Sequence, residues 1–267
     1  MQSLAATFET AALLAGHAIM RVRDAGTETH YKADCSPVTE ADEQAEAIIL
    51  AELSRHCPGI PVVAEESVAA GHTPQIRGSA LILVDPLDGT KEFISGSTDF
   101  TVNIALIEDG VPTLGVVYAP ALKVAYLGGD NLVEKLIIDD PYVVVERQRV
   151  SARPVPEHPI VVASRSHNTP ETDAFIRTSG ASEIRSIGSS LKFCLLAEGT
   201  ADLYPRFGRT MEWDTAAGDA VLRAAGGITL DVEGAPLRYG KTGQTDLVDF
   251  ANPDFIAWGL REATRPT

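Results

Sequence analysis

An uninterrupted apolar run, Ala80-Leu81-Ile82-Leu83-Val84, ends directly on Asp85-Pro86-Leu87-Asp88-Gly89-Thr90. Five apolar residues without polar alternation fit a fully buried strand, which demands a sheet covered by other elements. At the end of that strand two carboxylates stand three residues apart. Pro86 fixes φ between them and removes a backbone donor. Gly89 permits close approach to the backbone, and Thr90 supplies a hydroxyl. Hard cations such as Mg²⁺ take oxygen ligands and share them with substrate phosphate. The hexamer therefore suits a divalent metal beside a phosphate. Asp, Pro and Gly are also ordinary turn residues, so an Asx-type turn stands as the competing reading of these six residues alone.

The remaining composition narrows the partners. A length of 267 residues supports one large domain or two smaller ones, and the formal net charge of −15 argues against nucleic-acid or anionic-membrane surfaces, which need clustered Lys and Arg. Cys35, Cys57 and Cys194 form no CxxC pair, as expected of free thiols in a reducing cytoplasm. The histidines show no HxxxH or HExxH spacing, which argues against zinc. No targeting signal stands out and no apolar run reaches the ~18 residues of a membrane span. Integral membrane association is not expected, and a peripheral position on the inner face of the membrane is left open.

Leu4, Phe8, Ala11, Ala15, Ile19 and Val22 recur at helical spacing, which predicts an amphipathic helix over 5–23. A second helix is expected over 40–57, with Thr39 as N-cap. Strands are expected at 60–64, 80–84, 100–107, 112–118, 123–127 and 141–149, with Asp109-Gly110 as a hairpin signal. This half reads as two helices covering a largely antiparallel sheet. The Pro-rich segment 151–159 is the candidate boundary, giving an N-terminal α+β domain over 1–150 and a C-terminal α/β domain over 151–267. Beyond it strands (160–163, 183–186, 201–204) alternate with helices (170–179, 189–198, 213–225), the last ended by Gly226-Gly227.

Acidic residues recur in four suggestive settings: Asp42 at the start of the second helix, Glu65-Glu66 after a strand, Asp85 to Thr90, and Trp213-Asp214 before the small residues Thr215-Ala216-Ala217-Gly218. Taken singly, Asp42 and Asp214 are explained by helix capping. Glu66 reads as structural, because neighbours on a strand point to opposite faces. The order and wording of these segments resemble the Mg²⁺-dependent, lithium-sensitive phosphatase superfamily of inositol monophosphatase and fructose-1,6-bisphosphatase. Within it, KADCSPVTEAD, KEFISG, FTVNIALIEDG, GVVYAP, SRSH, SIGSSLKFCLLAEGTADLYPRFG and MEWDTAAGDAVLRAAGG resemble the 3'(2'),5'-bisphosphate nucleotidase branch.

The resemblance implies a layered α/β/α/β/α sandwich with the site between its two halves, and two or three Mg²⁺ per site. Glu65, Asp85 and the Leu87 carbonyl would hold one metal, and Asp85, Asp88 and Asp214 a second. Thr90 oriented by Asp42 would activate the water, helped by Glu65. Glu65, Leu87, Asp88, Gly89, Thr90 and Asp214 would bind the substrate, with the Gly89 and Thr90 backbone N–H groups facing the phosphate oxygens. His167, Ser189, Lys192 and Arg206 would surround the adenosine and its second phosphate. The implied substrate is adenosine 3',5'-bisphosphate, a small-molecule phosphate ester formed as a by-product of sulfate activation. An inositol or sugar phosphate is the alternative, and a monomer is the expected oligomeric state. Trp213 reads as a packing residue behind Asp214.

The chain departs from the branch at Ser67, where Asp is common, at Thr39-Glu40-Ala41, and over 128–140, where the usual Gly-rich hairpin is not evident. Two rivals are weaker. The dehalogenase-like DxDGT signature has one residue fewer between its aspartates, so a phospho-aspartate mechanism would misplace one of them. A non-catalytic metal- or partner-binding protein has no reason to keep Asp42, Glu65, Asp85, Asp88, Thr90 and Asp214 together.

Overall fold

The computed structural model describes residues 3–26, 29–31, 37–76, 78–130, 132–139, 142–165 and 168–261. Helix α1 (Leu4–Ala25) starts where the Ser3 hydroxyl accepts the Ala6 N–H at 3.2 Å. Strands β1 (Thr29–Tyr31) and β2 (Pro37–Thr39) pair antiparallel ahead of α2 (Glu40–His56). A seven-stranded sheet follows, made of β3 (Val62–Ala64), β4 (Ala80–Asp88), β5 (Thr101–Glu108), β6 (Val111–Ala119), β7 (Val124–Gly129), β8 (Leu132–Asp139) and β9 (Val143–Arg149), in that order. Only β3–β4 is parallel. Short helices α3 (Glu65–Ala69) and α4 (Thr90–Ile94) leave the ends of β3 and β4.

The remainder alternates β10 (Ile160–Ser164), α5 (Pro170–Thr178), β11 (Glu183–Ile187), α6 (Leu191–Ala197), β12 (Leu203–Arg206), α7 (Glu212–Ala224), β13 (Ile228–Asp231) and β14 (Phe255–Trp258). Its five strands lie in the order β11-β10-β12-β14-β13. Burial explains the layers. Ile82 and Val84 pack with Phe8, Ile19 and Ile49 of the first two helices, while Leu81 and Leu83 face Phe193, Ala217 and Val221 of α6 and α7. β4 is thus covered on both faces, which is why its sequence is continuously apolar. The same α6/α7 core reaches Val162, Tyr204 and Phe255 of the five-stranded sheet, and Ile176 of α5 closes that sheet's far side against Val161, Ala163 and Leu203. The result is the α/β/α/β/α layering.

Small residues set the spacing of α7. A Cβ on Gly115 would lie 2.4 Å from the Ala217 carbonyl, and one on Gly128 2.6 Å from the Val221 Cα. Helix and sheet can approach this closely only without those side chains.

Several expectations change. The segment around residue 135 is the strand β8, paired between β7 and β9. The sequence reading missed β13 and β14. Glu65 and Glu66 open a helix, so the opposite-face argument applied to them as strand neighbours does not hold.

Candidate active site

β4 runs past Val84 to Asp88, and its register against β5 slips: Asp85 faces Asn103, whereas Asp88 faces Thr101. Three steps on β4 therefore match two on β5, which is a β-bulge. Side chains three apart on a regular strand point to opposite faces. The extra residue, beside a proline with no N–H to leave unpaired, breaks that regular alternation between Asp85 and Asp88. The spacing of three in DPLD is the sequence trace of that bulge.

Glu65 from the start of α3, Asp85 from β4 and Asp214 from the first turn of α7 converge, with one carboxylate oxygen of each within 4.8 Å of the others. Asp85 is buried, and its Oδ1 accepts the Leu87 N–H at 3.0 Å. The Asp214 Oδ2 accepts the Met211 N–H at 2.8 Å. Loss of solvent raises the Asp214 pKa well above the usual carboxylate range, and the nearby Asp88 and Glu65 charges push it further. This is an all-oxygen, mutually repelling set that a hard divalent cation would neutralise, so the residues fit Mg²⁺.

Asp88 takes a different partner. Its Oδ2 accepts the Ser190 N–H at 2.7 Å and the Asn103 Nδ2–H at 3.4 Å. The Ser190 Oγ, 3.0 Å from that oxygen and 2.6 Å from the Asp214 carbonyl, has one proton to give between them. Withdrawal from water raises the Asp88 pKa, opposed by the Lys192 ammonium and the Ser190 hydrogen bonds.

Asp42 does two jobs at once. Its Oδ2 accepts the Thr39 N–H (2.8 Å) and hydroxyl (2.7 Å), fastening the start of α2, while its Oδ1 accepts the Thr90 hydroxyl at 3.1 Å. The Leu87 carbonyl lies 3.3 Å from the same hydroxyl as a second acceptor. Burial raises the Asp42 pKa, the Thr39 bonds oppose that, and Glu65 adds to it. Gly89 precedes α4 as its N-cap with φ +92, so Thr90 is the first helical residue and not the cap.

Glu65, Asp88, Gly89, Thr90 and Asp214 line one cavity of about 740 Å³, within the range of small-molecule sites, with Asp85 clustered against Glu65 and Asp214 and with Asp42 bonded to Thr90. Ser189, Lys192 and Arg206 line it too. Lys192 is 3 % exposed; its Nζ donates to the Ile187 carbonyl at 3.3 Å and sits 5.0 Å above the Tyr204 ring. Burial lowers its pKa to about 8, against the pull of Asp88. Arg206 is also buried, donating to the Arg209 carbonyl at 3.1 Å. Ser189 adopts φ +47, and its buried hydroxyl has no hydrogen-bond partner. Trp213 is buried and tilted against Phe250 with centroids 6.2 Å apart. His167 lies outside the described residues.

The inositol monophosphatase family profile matches residues 1–263. The chain belongs to the inositol monophosphatase family. It is 48 % identical over 243 residues to the 3'(2'),5'-bisphosphate nucleotidase CysQ of Salmonella typhimurium, covering 90 % of this chain and 94 % of that protein. The Escherichia coli K12 protein of the same name is 47 % identical over 244 residues, with the same coverage. Among solved structures, CysQ from Bacteroides thetaiotaomicron superposes with a TM-score of 0.79 at 40 % identity, covering 98 % of this chain and 99 % of that one. Thermotoga maritima IMPase gives 0.72 at 26 %, covering 94 % and 89 %.

Within this family member the sequence reading passed over several residues of the site. Asn103 is the one polar residue in the run Val102 to Ile107, and that contrast was the available signal. Ser190 stands inside the SIGSSLKFC segment without a role assigned to it, and Val248, Asp249 and Phe250 carry no signal, because they reach the cavity only through the fold.

Proposed function

We propose that this chain is a Mg²⁺-dependent 3'(2'),5'-bisphosphate nucleotidase, hydrolysing adenosine 3',5'-bisphosphate to AMP and phosphate in the cytoplasm. The names of its CysQ relatives support the reading. The observation that carries it is a single cavity lined by Glu65, Asp214, Thr90 and the two buried cations Lys192 and Arg206, with Asp85 clustered against Glu65 and Asp214 and with Asp42 bonded to Thr90. Glu65, Asp85, Asp88, Asp214 and the Leu87 carbonyl would hold Mg²⁺. When bound, Mg²⁺ supplies positive charge that offsets the developing phosphoryl charge and acidifies water.

The chain's own groups do the rest. Asp42 accepts a hydrogen bond from the Thr90 hydroxyl, so that as the attacking water gives its proton to the Thr90 oxygen, the Thr90 proton passes to the Asp42 carboxylate. A general-base contribution of this kind is worth roughly 10²–10⁴-fold. Gly89 and Thr90 bring the backbone close to the phosphate. Lys192 and Arg206 pair with the second phosphate, and their burial strengthens each contact relative to water. No covalent intermediate is needed.

A Mg²⁺-supplemented substrate panel tests this. Adenosine 3',5'-bisphosphate should show the highest kcat/KM, ahead of inositol 1-phosphate and fructose 1,6-bisphosphate. Preference for inositol 1-phosphate would overturn the nucleotidase assignment, and phosphate release independent of Mg²⁺ would overturn the metal site.

A further inference from the structure

We propose that Glu46 is a positioning residue for the metal site, acting through the first turn of α3 to set Glu65; the inference rests on the reading of Glu65 as a metal ligand. The first N–H groups of any helix lack intrahelical partners, and Ala64, the N-cap of α3, has no side chain able to supply one. Glu46 fills that role from another helix. Its Oε2 accepts the Glu66 N–H at 2.8 Å, and its Oε1 accepts the Ser67 N–H at 2.8 Å and the Ser67 hydroxyl at 2.6 Å. The carboxylate is thereby bidentate across the turn that begins with Glu65. A helix of five residues cannot hold its own orientation by internal bonds, so this outside anchor determines where Glu65 points.

Glu46 is 5 % exposed and lies one turn after Asp42 on α2, on the same face. That helix is packed into the core through Ala41, Ala45 and Ile49. One helix face therefore places both a proton acceptor, through Thr90, and a proposed metal ligand, through Ser67. Ser67 gains a reason as well. An Asp at this position would set a second carboxylate against Glu46, whereas serine donates to it.

The test uses the full-length, metal-stripped protein and measures equilibrium Mn²⁺ binding by electron paramagnetic resonance, the Mg²⁺ midpoint for phosphate release, and the melting temperature without metal. Glu46→Gln should weaken Mn²⁺ binding roughly ten-fold and raise the Mg²⁺ midpoint in step, with kcat at saturating Mg²⁺ falling far less. Ser67→Ala should weaken binding about three-fold. Ser67→Asp should weaken it more, and adding Glu46→Gln should recover part of that loss, because the glutamine amide can donate to the new carboxylate. Mn²⁺ affinity within two-fold of wild type in Glu46→Gln, whatever its melting temperature, would reduce Glu46 to a cap and overturn the proposal. If that variant does not fold, unchanged affinity in Ser67→Ala overturns it. Glu65→Gln separates the two readings: it must weaken Mn²⁺ binding, and if it does not, the assignment of Glu65 falls and the positioning role with it.

Discussion

Replacing Asp42 by Asn separates what its two oxygens do. Asparagine keeps one acceptor oxygen and puts an amide in place of the other. The side facing Thr39 offers two donors, at 2.8 and 2.7 Å, and the side facing Thr90 offers one, at 3.1 Å. The remaining oxygen therefore turns to Thr39 and keeps the cap of α2. The amide meets Thr90, whose hydroxyl turns its proton to the Leu87 carbonyl 3.3 Å away. Exchanging charged for neutral hydrogen bonds costs about 1 kcal/mol, while relief of a buried charge returns part of it. The melting temperature should fall by about 2–4 °C. Catalysis loses its proton acceptor, so kcat should fall by roughly 10²–10⁴ with little change in KM. Phosphate release at saturating Mg²⁺, with a thermal melt of the same preparation, measures both. Adding Thr90→Ala should cost little more, because the two residues act as one unit. A kcat within five-fold of wild type, or additive losses in the double variant, would refute the reasoning.

Asp85→Asn removes charge from the buried centre of the carboxylate cluster, and activity should fall by ~10³-fold, read as kcat/KM with Mg²⁺ in excess. Lys192→Ala should raise KM for adenosine 3',5'-bisphosphate by roughly ten-fold, about 1.4 kcal/mol, and leave a monophosphate nearly unaffected. Lys192 is charged below its pKa of about 8 and neutral above it, so the preference for the bisphosphate in kcat/KM should decline as pH rises through that value. Gly89→Ala introduces a Cβ 3.1 Å from the Asp99 carbonyl at φ +92; a loss of about 1–2 kcal/mol in stability and a lower kcat, seen by melting and turnover, are expected.

What could be read from the chain was whatever is written locally. The periodicity of α1, the Thr39 cap of α2, the Asp109-Gly110 hairpin and the apolar run of β4 all depend on neighbours a few residues apart. β8 was obscured because the glycines before it do not read as strand, although Gly128, near the end of β7, has no side chain so that α7 can pack against it. β13 and β14 are four residues each and owe their pairing to one another and to β12. Site residues inside motifs could be named in advance. Glu46 could not: on α2 it is one acid among several on a charged helix, and only the packing of α3 shows which backbone it holds. Asn103 and Ser190 likewise owe their position to contacts across the fold, 15 and 102 residues from Asp88.

The Ser190 junction has a consequence in time. Its backbone N–H reaches Asp88 on the seven-stranded sheet, and its hydroxyl lies against the Asp214 carbonyl at the head of α7. Each sheet can gain strands from its own stretch of chain, but this meeting point exists only once both have formed and docked. During refolding, helical and strand signals should therefore recover before affinity for a divalent ion does, and turnover should return last. A chain arrested at any earlier stage would carry every acidic residue of the site and hydrolyse nothing.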